Sequence, residues 1–217
     1  HRQQLNFLGG VGIVVLAVAV LPLLGVGGMQ LSRAESSGVT KNEKMTPRIA
    51  DTVRSLWLVY LALTVACALA FWVAGMSLFD AIGHAYAAVG TGGFSTHDAS
   101  FGYWDSPLID GIGIFFMLAG GINFAIHYLA LQRRSLWPFI RDAEVRAYGL
   151  IFLGGTLIVA ITLYLAGTYA SPIEALHHGA FQVASILTST GFTTAVFAEW
   201  PLYLPLVTDR DEANPEQ

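Results

Sequence analysis

Lysine and arginine are missing from most of this sequence. Neither occurs between Arg54 and Arg133, nor between Arg146 and Arg210. Acidic residues are sparse too, so 12% of the chain is charged against 54% hydrophobic, about half the charge of an ordinary soluble domain. Four stretches hold no charge at all: 3–32, 55–79, 111–132 and 147–173. Each can hold the roughly 20 apolar residues that cross a bilayer. A soluble globular protein is excluded, and the lipid bilayer is the expected surroundings. Cysteine is nearly absent as well. The single Cys67 lies in the second apolar run, which excludes a disulfide within the chain and leaves the redox compartment unread. No phosphate-binding loop is present, and neither a nucleic-acid partner nor a resident cofactor is expected.

What charge there is falls in two places. Nine of the eleven basic residues lie in 27–54 and 132–146. The positive-inside rule makes both loops cytoplasmic. Helices over 6–26, 55–75, 109–131 and 147–168 then run alternately inward and outward. The segments 76–108 and 169–200 are left on the outer side. The sequence begins "HRQQLNFLGG", almost directly in a spanning helix, and ends in the polar "TDRDEANPEQ" after a short apolar piece at 196–207. A part of something longer is expected.

The outer segments repeat a pattern. Asp80 and His84 stand four apart and precede "TGGFST" at 91–96; Glu174 and His178 stand four apart and precede "TSTGFTT" at 188–194. The His-to-glycine spacing is four residues longer the second time, which predicts a short helix one turn longer. "GVGIVVL" at 10–16 and "GIGIFFMLAGG" at 111–121 add a further echo. The repeat divides the chain into 1–54, the last helix of one unit plus a cytoplasmic loop; 55–146, a complete second unit with its loop; 147–207, the front of a third; and a tail, 208–217. Residues 77–89 and 171–187 read as helices too short to span, the latter with Ser171 as N-cap and Pro172 at the first position. Short helices on one side between two spans read as re-entrant. Irregular backbone at that depth is tolerated where it is packed in protein or lines a wet cavity.

The glycines of those loops permit unusual backbone. Exposed carbonyls there can replace the water shell of a cation, and the negative end of each short helix favours one. Asp80–His84 and Glu174–His178 lack a third ligand for a metal site and read as helix-start charge with a histidine tether. Asn123 and His127, inside 109–131, read as a structural tie between helices. Gly9, Gly10, Gly12, Gly111, Gly113, Gly120 and Gly121 read as close helix packing.

"GGVGIVVLAVAVLPLLGVGGMQL", "SLFDAIGHAYAAVGTGGFSTHD", "GGINFAIHY" and "FQVASILTSTGFTT" resemble the potassium-uptake subunits of the Trk/Ktr/HKT superfamily, closest to the bacterial TrkH/TrkG type. The resemblance implies an all-α polytopic fold of helix–re-entrant pore loop–helix units, four of which surround a potassium-channel-like pore. It makes Thr91, Gly92 and Gly93 the second filter strand and Ser189, Thr190 and Gly191 the third, with K+ held by their backbone carbonyls. It further implies a multi-pass protein of the bacterial inner membrane, a cytoplasmic nucleotide-binding regulatory subunit docking near 132–146, and a homodimer. Channel-like conduction and coupled uptake (symport) both stay open. Two other classes compete. A secondary transporter with broken helices needs inverted repeats, whereas both motifs start from the outer side. An intramembrane enzyme needs a nucleophile bonded to a base, whereas the Ser and Thr residues cluster in the repeated loops.

Overall fold

The computed structural model describes residues 1–10, 42–195 and 200, with side chains omitted over 42–53. Every regular element among the described residues is helical. A helical stretch at 2–10 comes first. Then follow α1 (Asn42–Val73), α2 (Leu78–Val89), a 3₁₀ turn (Ser100–Tyr103), α3 (Pro107–Gly121), α4 (Phe124–Arg133), α5 (Trp137–Arg141), α6 (Ala143–Leu165) and α7 (Pro172–Leu187). The expected spans over 11–26, the apolar piece at 196–199 and 201–207, and the tail fall outside the described residues.

Two helices, Arg54–Val73 and Ala143–Leu165, are long and apolar enough to cross a membrane. Their exposed Leu58, Leu69, Leu150, Ile158 and Leu165 are what a lipid-facing surface requires, because hydrocarbon exacts no penalty for apolar side chains. Each ends in the same C-terminal motif, with Gly75 and Gly167 left-handed. Their N–H groups, with those of Met76 and Thr168, bond back to the last turn, on Trp72, Phe71, Tyr164 and Leu163. α1 starts at Asn42 rather than near 55, so the first basic loop is partly helical. Loop charges orient a helix without ending it.

The third expected span is broken. α3 and α4 meet at 98°, where a single helix over 109–131 is expected. Ile122 is extended, and Asn123 caps α4 by accepting from the Ala125 N–H. The carbonyls freed by the break are met by side chains. His127 Nε2 donates to the Ala119 oxygen at 2.9 Å, and the Tyr148 hydroxyl to the Leu118 oxygen at 3.4 Å. His127 is therefore the tie between helices expected of it, across the break, whereas Asn123 acts within α4 as its N-cap. Backbone cannot open at membrane depth unless its groups find such partners.

α2 has 12 residues and α7 has 16, the one-turn difference expected. At 1.5 Å per residue they reach only about 18 and 24 Å, short of a ~30 Å hydrocarbon core. Ser77 and Ser171 cap them, and Asp80 and Glu174 lie in their first turns. Both are packed behind by a core containing Phe71, Met117, Phe101, Phe181 and Phe192.

Candidate functional site: two parallel pore loops

The two loops repeat atom by atom at an offset of 98 residues. Thr91 and Ser189 are left-handed, with φ 49° and 56°, and so are Gly93 and Gly191, with φ 63° and 88°. Gly92 and Thr190 between them are not. The Thr91 N–H bonds Ala88 O at 3.3 Å and the Gly92 N–H bonds Ala87 O at 2.8 Å; the Ser189 N–H bonds Ile186 O at 2.9 Å and the Thr190 N–H bonds Ser185 O at 2.8 Å. Gly93 and Gly191 also reach Ala87 O and Ser185 O, each at 3.4 Å. This is a Schellman end prolonged by one more left-handed residue. It places threonine and serine where glycine is usual, at a cost of about 1–2 kcal/mol each.

The consequence is electrostatic. Alternating handedness gathers successive N–H groups on one side, and here that side is the helix end, where all six are spent. No hydrogen bond reaches the carbonyls of 91–93 or 189–191 among the described residues. The loops offer acceptors at the negative ends of two helices. The strands also touch. A Cβ on Gly93 would meet the Thr190 carbonyl oxygen, and it would stand 3.0 Å from the Gly191 carbonyl carbon, whereas Gly191 faces open space. The six residues singled out from the sequence are thus brought together.

Beyond the turn each strand is tied to its own helix. His84 Nδ1 lies 2.8 Å from Asp80 O, so it carries the proton and donates, and Nε2 accepts from the Ser95 hydroxyl at 2.9 Å. Burial pushes the His84 pKa down, consistent with a neutral ring. His178 Nδ1 lies 2.9 Å from the Thr194 hydroxyl and ties the third strand to α7. Asp80 is a hub. It takes Thr96 at 2.6 Å and Ser77 at 2.7 Å, with His97 Nε2 at 3.5 Å. Burial acts to raise its carboxyl pKa, but the bonds from Thr96 and Ser77, with His97 beside them, outweigh it and hold the pKa below the ordinary value. In the frame of the loops Asp80 corresponds to His178, not to Glu174. The sequence echo aligns helix starts, and the extra turn of α7 shifts everything after them.

The second unit also braces the third. The Phe101 N–H donates to Thr193 O at 3.0 Å, and the Thr193 N–H to the Ser100 hydroxyl at 3.3 Å. Phe101 packs on Phe181 and Phe192 at ring distances of 5.0 and 4.7 Å. His177 Nε2 lies 2.8 Å from Asp110 Oδ2, linking α7 to α3. Sequence reasoning missed this pair; Asp110 is a lone carboxylate at the edge of an apolar run, signal enough to ask for a partner. It also missed Gln3 and Asn6, two amides in a charge-free run that reach the second loop. The inner-helix echo is corrected. Gly10 lies against Gly90 and Gly121 against Thr188. These are equivalent loop positions, so "GG" at 9–10 matches "GG" at 120–121 rather than "GVG" matching "GIG".

A span followed by a short helix and a carbonyl-bearing turn, made twice, defines a polytopic membrane protein with pore loops. The chain belongs to the TrkH cation transport protein family, whose family model matches residues 1–206. The Trk system potassium uptake protein TrkH of Escherichia coli K12 is 53% identical over 209 residues, covering 95% of this chain and 43% of that protein. TrkG of the same organism is 43% identical, over 94% of this chain and 42% of that protein. A crystal structure of the potassium transporter TrkH from Vibrio parahaemolyticus superposes with a TM-score of 0.81 at 45% identity, covering 94% of this chain and 41% of the other. The chain thus spans about two fifths of the relatives it matches.

Proposed function

We propose that the protein containing this chain takes up potassium, and that Thr91–Gly93 and Ser189–Gly191 are two strands of its filter. One observation carries the reading: both loops spend their N–H groups on their own helix and leave carbonyls free, at matching positions. Carbonyl oxygens suit a dehydrated monovalent cation. The names of the relatives supply the ion. Two further loops from the rest of the protein would close the ring. We also place the protein in the bacterial inner membrane. The exposed Arg133, Arg134 and Arg141 around α4 and α5 support a cytoplasmic regulatory subunit docking there, and a homodimer follows the family resemblance.

Ser95 and His84 form a hydroxyl–imidazole pair, the kind of feature an intramembrane enzyme would need. The pair reads as a tether. His84 is wholly buried, with Phe101, Trp104 and Phe192 against its ring, and on α7 His178 likewise serves as a tether, through Thr194.

The test is growth of uptake-deficient bacteria at limiting potassium on the full-length gene. The parent gene should restore growth, whereas Gly93→Val and Gly191→Val should abolish potassium uptake with the protein still inserted in the membrane. Undiminished uptake in both variants would remove the glycines from the filter.

A further inference from the structure

The two loops share a backbone, yet the second is nearly bare of side chains where the third is not. Three positions show this. At the loop start, Gly90 corresponds to Thr188, whose hydroxyl donates to Ala184 O at 2.8 Å and lies 2.6 Å from the Thr190 hydroxyl. At the centre, Gly92 corresponds to Thr190. On the helix behind, Gly83 corresponds to Phe181. A filter strand stripped at all three places has lost the hydroxyl bonds and the ring that hold its counterpart.

The helical stretch 2–10 stands where those side chains would be. The Asn6 amide Nδ2 donates to Gly90 O at 3.2 Å. A Cβ on Gly90 would lie 2.8 Å from that nitrogen, and a Cβ on Gly92 would fall on the amide group itself. Three residues earlier, on the same face of the helix, the Gln3 amide donates to Phe94 O at 2.8 Å. It lies against Gly83, where a Cβ would come within 2.6 Å of Gln3 Oε1. The third loop is built differently. Phe181 projects from the short helix toward the inner helix at Gly113, where a Cβ would stand 3.3 Å from the Phe181 ring and 2.8 Å from Phe101.

We infer that Asn6 and Gln3 are positioning residues of the second filter strand, holding it at both ends by hydrogen bonds from the preceding inner helix in place of the hydroxyls and ring that hold the third. The inference rests on the reading of 91–93 and 189–191 as filter strands. Neither amide bonds a carbonyl of the strand itself. Each acts through a carbonyl flanking it, Gly90 O before the strand and Phe94 O after it. A carbonyl held from behind keeps its neighbours at the spacing a particular ion needs, so the effect falls on discrimination rather than on throughput alone.

The experiment measures potassium uptake, with and without competing sodium, by the full-length protein in uptake-deficient cells, normalised to membrane-inserted protein. Asn6→Leu keeps the volume but removes the donor. It should lower the preference for potassium over sodium about fivefold, the effect of one neutral hydrogen bond. Gly92→Thr should abolish uptake, because its side chain falls on Asn6. Gly92→Thr combined with Asn6→Ala should restore measurable uptake, because the threonine then occupies the vacated space as Thr190 does. Parental selectivity in Asn6→Leu, or a double variant as dead as Gly92→Thr, would overturn the inference while leaving the filter reading intact. Parent protein that takes up no potassium would overturn both.

Discussion

Asp80 shows how much one side chain can carry. It stands in the first turn of α2, where an anion is favoured, and it anchors the strand beyond the second loop through Thr96. Its folded pKa is lowered. It therefore contributes stability above the ordinary carboxylate pKa of about 3.9, and that contribution is lost as pH falls through the lowered folded value. Asp80→Asn, compared with the parent in thermal unfolding in detergent from pH 7 to pH 3, should be less stable at neutral pH and should have a flatter decline on acidification. Identical slopes would mean that the carboxylate does no such work. At this scale the sequence was informative about type and silent about partner. Glycine between hydroxyl residues pointed to unusual backbone, and the left-handed Gly93 and Gly191 bear that out. That Thr91 and Ser189 share the strain was not legible, since neither residue type favours it.

Among the elements, the short helices could be read most directly. Ser171 before Pro172 marks a start, and the four-residue difference in spacing became a helix one turn longer. The break at 122–123 was hidden, because apolar residues continue across it and hydropathy cannot see direction. Its signal was the polar set it needs. Asn123 caps α4, and His127 and Tyr148 occupy carbonyls at the end of α3. Asn123→Ala should cost about 1 kcal/mol, the worth of an N-cap, whereas Asn123→Ser or Asn123→Asp should cost little. Unfolding of the purified full-length protein in denaturant checks this order. Equal loss in all three variants would indicate that the side chain is held for another reason.

At the scale of the molecule, the units are not independent. The loop after the second strand is bonded to the third strand through Phe101, Ser100 and Thr193, and His177 closes on buried Asp110 across the same boundary. His177→Ala would leave that carboxyl without its described partner. It should destabilise the protein by about 1–3 kcal/mol, read as a fall in thermal unfolding temperature in detergent; an unchanged temperature would show that the pair holds nothing. Repeat order was legible from motif spacing. The register between units was not, because "GVG" and "GIG" resemble each other in sequence while the glycines that meet the two loops are Gly10 and Gly121. Spatial equivalence is set by what a residue touches, and similarity of letters is a poor guide to it.

The central claim is that free carbonyls of 91–93 and 189–191 face the ion. The most direct measurement is the anomalous signal of rubidium, standing in for potassium, in crystals of the full-length protein. The account predicts rubidium within coordinating reach of the carbonyls of both loops, and loss of that signal in Gly191→Val. Rubidium bound elsewhere along the pore, with these carbonyls turned away from it, would contradict the account.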